Sequence, residues 1–362
     1  MSIRSHNVLA DYEWRSFVCE NSESSENGHL SFGPGVISGL RELKDIELSS
    51  NRSMGSKHRA CGIWSQFFSL IHTRVFTYKP DFFPSIAGLA KACGEILEDT
   101  YVAGLWTRYL YFGLLWVLKG PPPGSLDAKL EALRHPDPYI APSWSWVSPK
   151  EYFESFVPWW GPNGRPSHLQ SQITLVDYHI DLESQTNPHG RIKSAALLLR
   201  GRMVALPSDV KMRPDGEKYA MGHLAGKRGT VMFDWVVTEN TVQERGRLKM
   251  LLTTSCCQGT SNLTSEFFAD PDEDHTTTFS KTQPEADQFD DEYDENDDDD
   301  INATSTCFSC LDEASPPNCF GLMLHPAESP GAYVRVGVFQ LFGGSGGSQL
   351  FEHEAEREVK IV

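Results

Sequence analysis

Cys307-Phe308-Ser309-Cys310 has the two-residue gap of a zinc half-site or a redox dithiol, and Cys256-Cys257 offers two further thiolates upstream. Structural zinc sites join two hairpin-like CxxC or CxxH units, and vicinal cysteines are a poor second unit. These cysteines are therefore expected to pack in loops and strand ends. The 12 histidines, among them His6, His29, His58, His72 and His135, include no i, i+4 pair of the kind that chelates a metal on a helix. The run from Asp287 to Asp300 has carboxylates in number but lacks the glycine and the spaced oxygens of a calcium loop. No GxSxG, HExxH or phosphate-cradling GxxxxGK[ST] occurs. Gly343-Gly344-Ser345-Gly346-Gly347-Ser348 reads as a flexible hairpin connection. The sequence assigns no catalytic residue, no cofactor and no metal ligand.

The aromatic residues are the more informative set. Trp144 and Trp146, in Ala141-Pro142-Ser143-Trp144-Ser145-Trp146, share a face if the segment is a strand, and Pro142 sets an extended entrance to it. Such a pair fits the seam between a helical layer and a sheet, where each indole buries a large area and its N–H finds a carbonyl. Trp159-Trp160, followed by Gly161-Pro162-Asn163-Gly164, is expected to be exposed and is the candidate binding surface. It would serve a ligand- or glycan-binding β module. An unrecognised hydrolase is the other alternative function, and it would need a nucleophile set beside a histidine or paired carboxylates.

Elements to position these residues follow from periodicity. Residues 1–59 are rich in Ser, Glu, Asn and Gly and read as a loosely structured lead-in. From Ile63, apolar residues at Trp64, Phe67, Phe68, Ile71, Val75 and Phe76 mark a helix ending near Tyr78. A second helix starts around Pro84, where a missing N–H costs nothing, and a third spans Leu105 to Leu118, apolar nearly all round. This gives a helical layer over 60–120. After the loop to Pro138 the period becomes two. Strands are expected at 143–147, 172–182, 195–206, 230–237, 248–253, 319–325, 333–342 and 358–362, antiparallel in a sandwich or part-closed barrel. The β-rich unit thus covers 121–257 and 318–362. The fold class is α+β, a small helical layer packed on a mainly antiparallel β unit.

The chain has 362 residues and a net charge of −17, and the charge is localised. Of its 49 acidic residues, 16 lie between Glu266 and Asp300 beside a single Lys281, so that segment holds −15 and the rest is left with about −2. Residues 258–317 are accordingly read as a disordered acidic insertion, which loop-closure entropy allows. The acid repels nucleic acid and the Lys and Arg residues form no basic stripe, so nucleic-acid binding is excluded and protein partners are expected. No apolar stretch reaches the roughly 20 residues of a membrane span. The N-terminus has no apolar signal region, and the eight cysteines have no regular spacing, so a cytoplasmic, reducing address is expected.

Four elements occur in a specific order. Trp64 is followed by Thr77-Tyr78-Lys79-Pro80-Asp81 and Ile86-Ala87-Gly88-Leu89-Ala90; Ala103-Gly104-Leu105-Trp106 and Leu114-Leu115-Trp116 come next, and then Ala141 to Trp146. This order resembles the region downstream of the signature core in fungal heterokaryon-incompatibility (HET) domain proteins, over Trp64 to about Ser148. The resemblance implies that Trp64, Asp81, Gly88, Gly104, Leu105, Trp106, Trp116, Pro142, Ser143, Trp144, Ser145 and Trp146 are structural motif positions. It also implies a role in non-self recognition and programmed cell death. The family's signature domain would lie ahead of residue 1, and nothing in 1–59 looks like it. The chain is therefore expected to be the regulatory or interaction half, without chemistry of its own.

Overall fold

The computed structural model describes residues 54–71, 78–118, 122, 124–149, 153–155, 169–208, 210–212, 220–224, 228–237, 244–256 and 317–362, with scattered residues between 39 and 49. Helix α1 (Met54–Ile71) buries Ala60, Cys61, Ile63, Trp64 and Phe67. It begins inside the stretch read as lead-in. Helix α2 (Phe82–Leu97) follows a 3-10 turn at Lys79–Asp81 and buries Phe83, Ile86, Ala90, Cys93 and Leu97, spaced by three and four. Pro84 sits in its first turn, and Glu98 stops it in the left-handed conformation, its N–H bonded to the Gly94 carbonyl.

The expected third helix is not formed. Leu105–Leu118 instead divides into β2 (Leu105–Trp106), paired with β1 (Tyr101–Val102), then a 3-10 turn, the one-turn helix α3 (Leu110–Gly113) and β3 (Trp116–Leu118). An apolar run without a polar stripe carries no period to separate helix from buried strand. Asp99 decides the matter locally, because its carboxylate accepts from the Thr100 and Arg108 amides and from the Thr107 hydroxyl, which fixes a turn. Residues 125–134, within the stretch read as loop, form helix α4 (Leu126–Arg134). Ser125 caps it by accepting from the Ala128 amide at 3.3 Å.

The remaining chain is mainly antiparallel sheet. In order come β4 (Phe153–Ser155), β5 (Leu169–Ser171), β6 (Ile173–Leu182), β7 (Ile192–Ala205), β8 (Lys211–Met212), β9 (Ala220–His223) and β10 (Gly229–Phe233). After these come β11 (Lys249–Cys256), β12 (Asn318–Pro326), β13 (Ala332–Leu341) and β14 (Glu356–Ile361). Pairings β7–β11, β11–β12, β12–β13, β13–β14 and β14–β7 close a ring, with β13–β14 its parallel joint. Strand β3 pairs with β4 outside this ring.

Apolar side chains alternate across the ring strands and form two cores. One joins Leu197, Leu199, Leu322, Val359 and Ile361 to α1, α2 and the tryptophans, so helices and strands share a continuous interior. The other collects Val231, Phe233, Trp235, Met250, Val336, Phe339 and Phe351, with Leu126 of α4 against it. Both faces of the central strands are therefore buried, as burial of all but Pro326 along β12 and all but Tyr333 along β13 reflects.

Candidate functional site

Residues 143–148 form two consecutive turns in place of the expected strand. Ser145 N–H bonds to the Pro142 carbonyl and Ser148 N–H to the Ser145 carbonyl, both at 3.0 Å. Trp144 and Trp146 are fully buried, but turn geometry and not strand alternation directs them. The Ser145 hydroxyl donates to the Ala103 carbonyl at 2.7 Å and accepts from the Val147 amide at 3.2 Å, which pins the turn to the β1–β2 hairpin.

That hairpin turns through Ala103 and Gly104, at φ +45° and +94°. The Gly104 carbonyl accepts two indole N–H groups at once, from Trp146 at 2.7 Å and Trp64 at 3.1 Å. A Cβ at Gly104 would lie 2.7 Å from the Trp146 Nε1. Trp64 meets the Trp106 ring edge-on at a centroid distance of 5.5 Å, and Phe82 meets Trp146 the same way at 5.5 Å. Trp116 donates to the Trp144 carbonyl at 3.1 Å. The motif residues Trp64, Gly104, Leu105, Trp106, Trp116, Trp144, Ser145 and Trp146 thus converge on one buried joint between α1, α2 and the strand ring.

A charged cluster borders the joint. Arg335 of β13 is fully buried, its guanidinium 3.3 Å from the centroid of the Trp116 ring. It donates to the Asp234 carboxylate and to the Trp116 carbonyl, and Lys129 of α4 approaches Asp234 at 3.5 Å. Burial pushes the Arg335 pKa down to about 10, against the pull of Asp234, so the group stays cationic at neutral pH. The Ser143 hydroxyl accepts from the Arg335 amide at 3.0 Å and donates to the Val362 carbonyl. Ser143 thereby ties the tryptophan turn to β13 and the chain end, while the Pro142 carbonyl closes the turn itself. Arg335, Asp234 and Lys129 were not singled out in the sequence, because 101 residues separate Arg335 from Asp234 and no local pattern links them.

Asp81 and Gly88 stand apart from the joint. Asp81 is exposed at the start of α2 and pairs with Arg191 at 2.6 Å, and nothing lies within 4 Å of a Cβ placed on Gly88. Trp159, Trp160, Cys257, Cys307, Cys310 and the acidic insertion up to residue 316 lie outside the described residues. A surface cleft of about 340 Å³ is lined by Tyr78, Tyr139, Ile140, Glu183, Arg191 and Lys193, among others. Arg191 lies over the Tyr78 ring and is held by Asp81 and Glu183, so the cleft contains an internally satisfied cation and no nucleophile set beside a base.

The described histidines are dispersed. His325 of β12 is buried, with Nδ1 2.8 Å from the Pro326 carbonyl and Nε2 3.6 Å from Glu244. Burial lowers its pKa and Arg247 adds to this, while the Pro326 carbonyl and Glu244 oppose it. Burial likewise raises the thiols of Cys61 and Cys93, which suits packing and not nucleophilic chemistry. Among the described residues no group of three His, Cys, Asp or Glu side chains could hold a metal ion, and no helix is long and apolar enough to cross a membrane. Comparison with protein-family models, with characterised proteins and with solved structures gave no match.

Proposed function

We propose that this chain is a non-catalytic interaction and regulatory unit of a heterokaryon-incompatibility protein, acting in fungal non-self recognition and the cell death that follows incompatible fusion. The observation that supports this reading is where the family-like residues go. The two motif tryptophans at Trp144 and Trp146, together with Trp64, Trp106 and Trp116, are all buried in one core, where Trp64 and Trp146 share the Gly104 carbonyl. Motif residues spent on a rigid joint suit a scaffold that presents surfaces, whereas an enzyme would aim reactive groups into a cleft. In this reading the helices form a small layer on the β unit, the stretch 258–317 is a solvated acidic insertion, and the protein works in the cytoplasm with protein partners.

Genetics tests it directly. Deleting the gene in a strain that rejects an incompatible tester is expected to abolish the rejection, while overexpression of this chain alone leaves viability unchanged. Rejection that persists in the deletion strain, or killing by this chain alone, would overturn the reading.

A further inference from the structure

Among the described residues, strand β6 pairs with β7 alone and has a long edge with no strand beside it. A bulge at Val176 interrupts the pairing, after which Asp177 to Asp181 run in unbroken register against Leu198 to Ser194. The Tyr178 N–H turns away from β7 and donates to its neighbour's Asp177 Oδ1 at 2.8 Å. Antiparallel alternation puts the Ile180 N–H on the same outer edge.

The side chains along this edge are unusual for an unpartnered strand. Val176 and Tyr178 are 39% and 41% exposed, and with Tyr78 they are the large apolar side chains left in solvent among the described residues. Asp177, His179 and Asp181 occupy the face opposite Tyr178. Neither aspartate has an ion-pair partner among the described residues.

We propose that the β6 edge is a docking site for an extended partner segment in which Lys or Arg alternates with apolar residues, added as an antiparallel strand. The inference deepens the interaction reading above and rests on it for the existence of a partner. Charge complementarity selects this occupant. Cations on the added strand would face Asp177 and Asp181 on one face, while apolar side chains on the other cover Tyr178 and Val176. A second copy is disfavoured, because it brings the same two aspartates, Asp177 and Asp181, to the same edge. Asp177 acts as a removable guard. While it caps the Tyr178 amide the edge is blunted, and a cation drawn up beside it releases that amide to a partner carbonyl.

The test uses the full chain and an end-blocked decapeptide of alternating Lys and Val as probe, with amide exchange at Tyr178 and Ile180 as the readout. The expected result is saturable slowing of exchange at both amides. The Asp177→Lys/Asp181→Lys variant is expected to bind this peptide at least tenfold more weakly and to accept a Glu–Val peptide instead. The same Lys–Val peptide with alternate backbone nitrogens methylated keeps its charge but cannot form the ladder, so it should leave both amides unchanged. Equal protection by the methylated peptide would mean capture by acidic stretches alone and would overturn the proposal. So would an unprotected edge at millimolar peptide, or concentration-dependent dimerisation through β6. If the edge binds nothing while gene deletion still abolishes rejection, the docking inference fails and the proposed function stands.

Discussion

Gly104 and Gly88 belong to the same family-like pattern, yet their surroundings assign them opposite responses to one methyl group. Gly104 sits at φ +94° with the Trp146 indole 2.7 Å from where a Cβ would go, and its carbonyl serves two buried N–H donors. Gly104→Ala is therefore expected to cost about 2–4 kcal/mol, from left-handed strain and a displaced buried hydrogen bond. Gly88 is exposed in the middle of α2 with open space about it, so Gly88→Ala is expected to stabilise by about 0.5–1 kcal/mol through helix propensity. Urea denaturation of both variants checks the contrast, and a Gly88→Ala loss as large as that of Gly104→Ala would contradict it. The resemblance marks both positions, but only the hairpin's turn geometry distinguishes them. The burial of Trp144 and Trp146 was legible from their type. The directions they take were not, because a strand period was assumed where Ser145 builds a turn.

Elements were legible where one face is apolar and the period is clear. Helix α2 and strands β6, β7, β12 and β13 fall within a few residues of where alternation and Pro84 put them. Leu105–Leu118 was misread because burial on all sides erases periodicity, and the deciding residue, Asp99, lies outside the run. Helix α4 was missed although Ser125, Asp127 and Arg134 mark its ends, since its apolar stripe of Leu126, Leu130 and Leu133 is short. What binds α4 to the ring is also a tertiary matter, the Lys129–Asp234–Arg335 cluster. Asp234→Ala leaves a buried guanidinium uncompensated and is expected to cost about 3–5 kcal/mol. The double change Asp234→Leu/Arg335→Met removes both buried charges and is expected to recover most of that loss, since Lys129 is part-exposed and can turn to solvent. Thermal unfolding of the single and double variants measures this, and a double variant no better than the single would show that the charges stabilise on their own account.

At the scale of the molecule, the strand ring and the helices are one unit because the tryptophan joint belongs to both. Leu197 and Leu199 of β7 share a core with Ile86 and Ile96 of α2, and the Trp146 turn stands between them, tied to Gly104 on one side and through Ser143 to β13 on the other. Closure of the ring by β14 was not legible, because a parallel contact of two residue pairs between β13 and β14 leaves no mark on either strand's pattern. Native-state hydrogen exchange on Trp146→Phe, which keeps an aromatic ring but removes the indole N–H and part of its volume, tests the joint most directly. Amides of α2 and of β7 are predicted to lose protection together, by the same amount of about 2 kcal/mol. Faster exchange in α2 with β7 left unchanged would contradict the account, since helices and strands would then open as separate bodies.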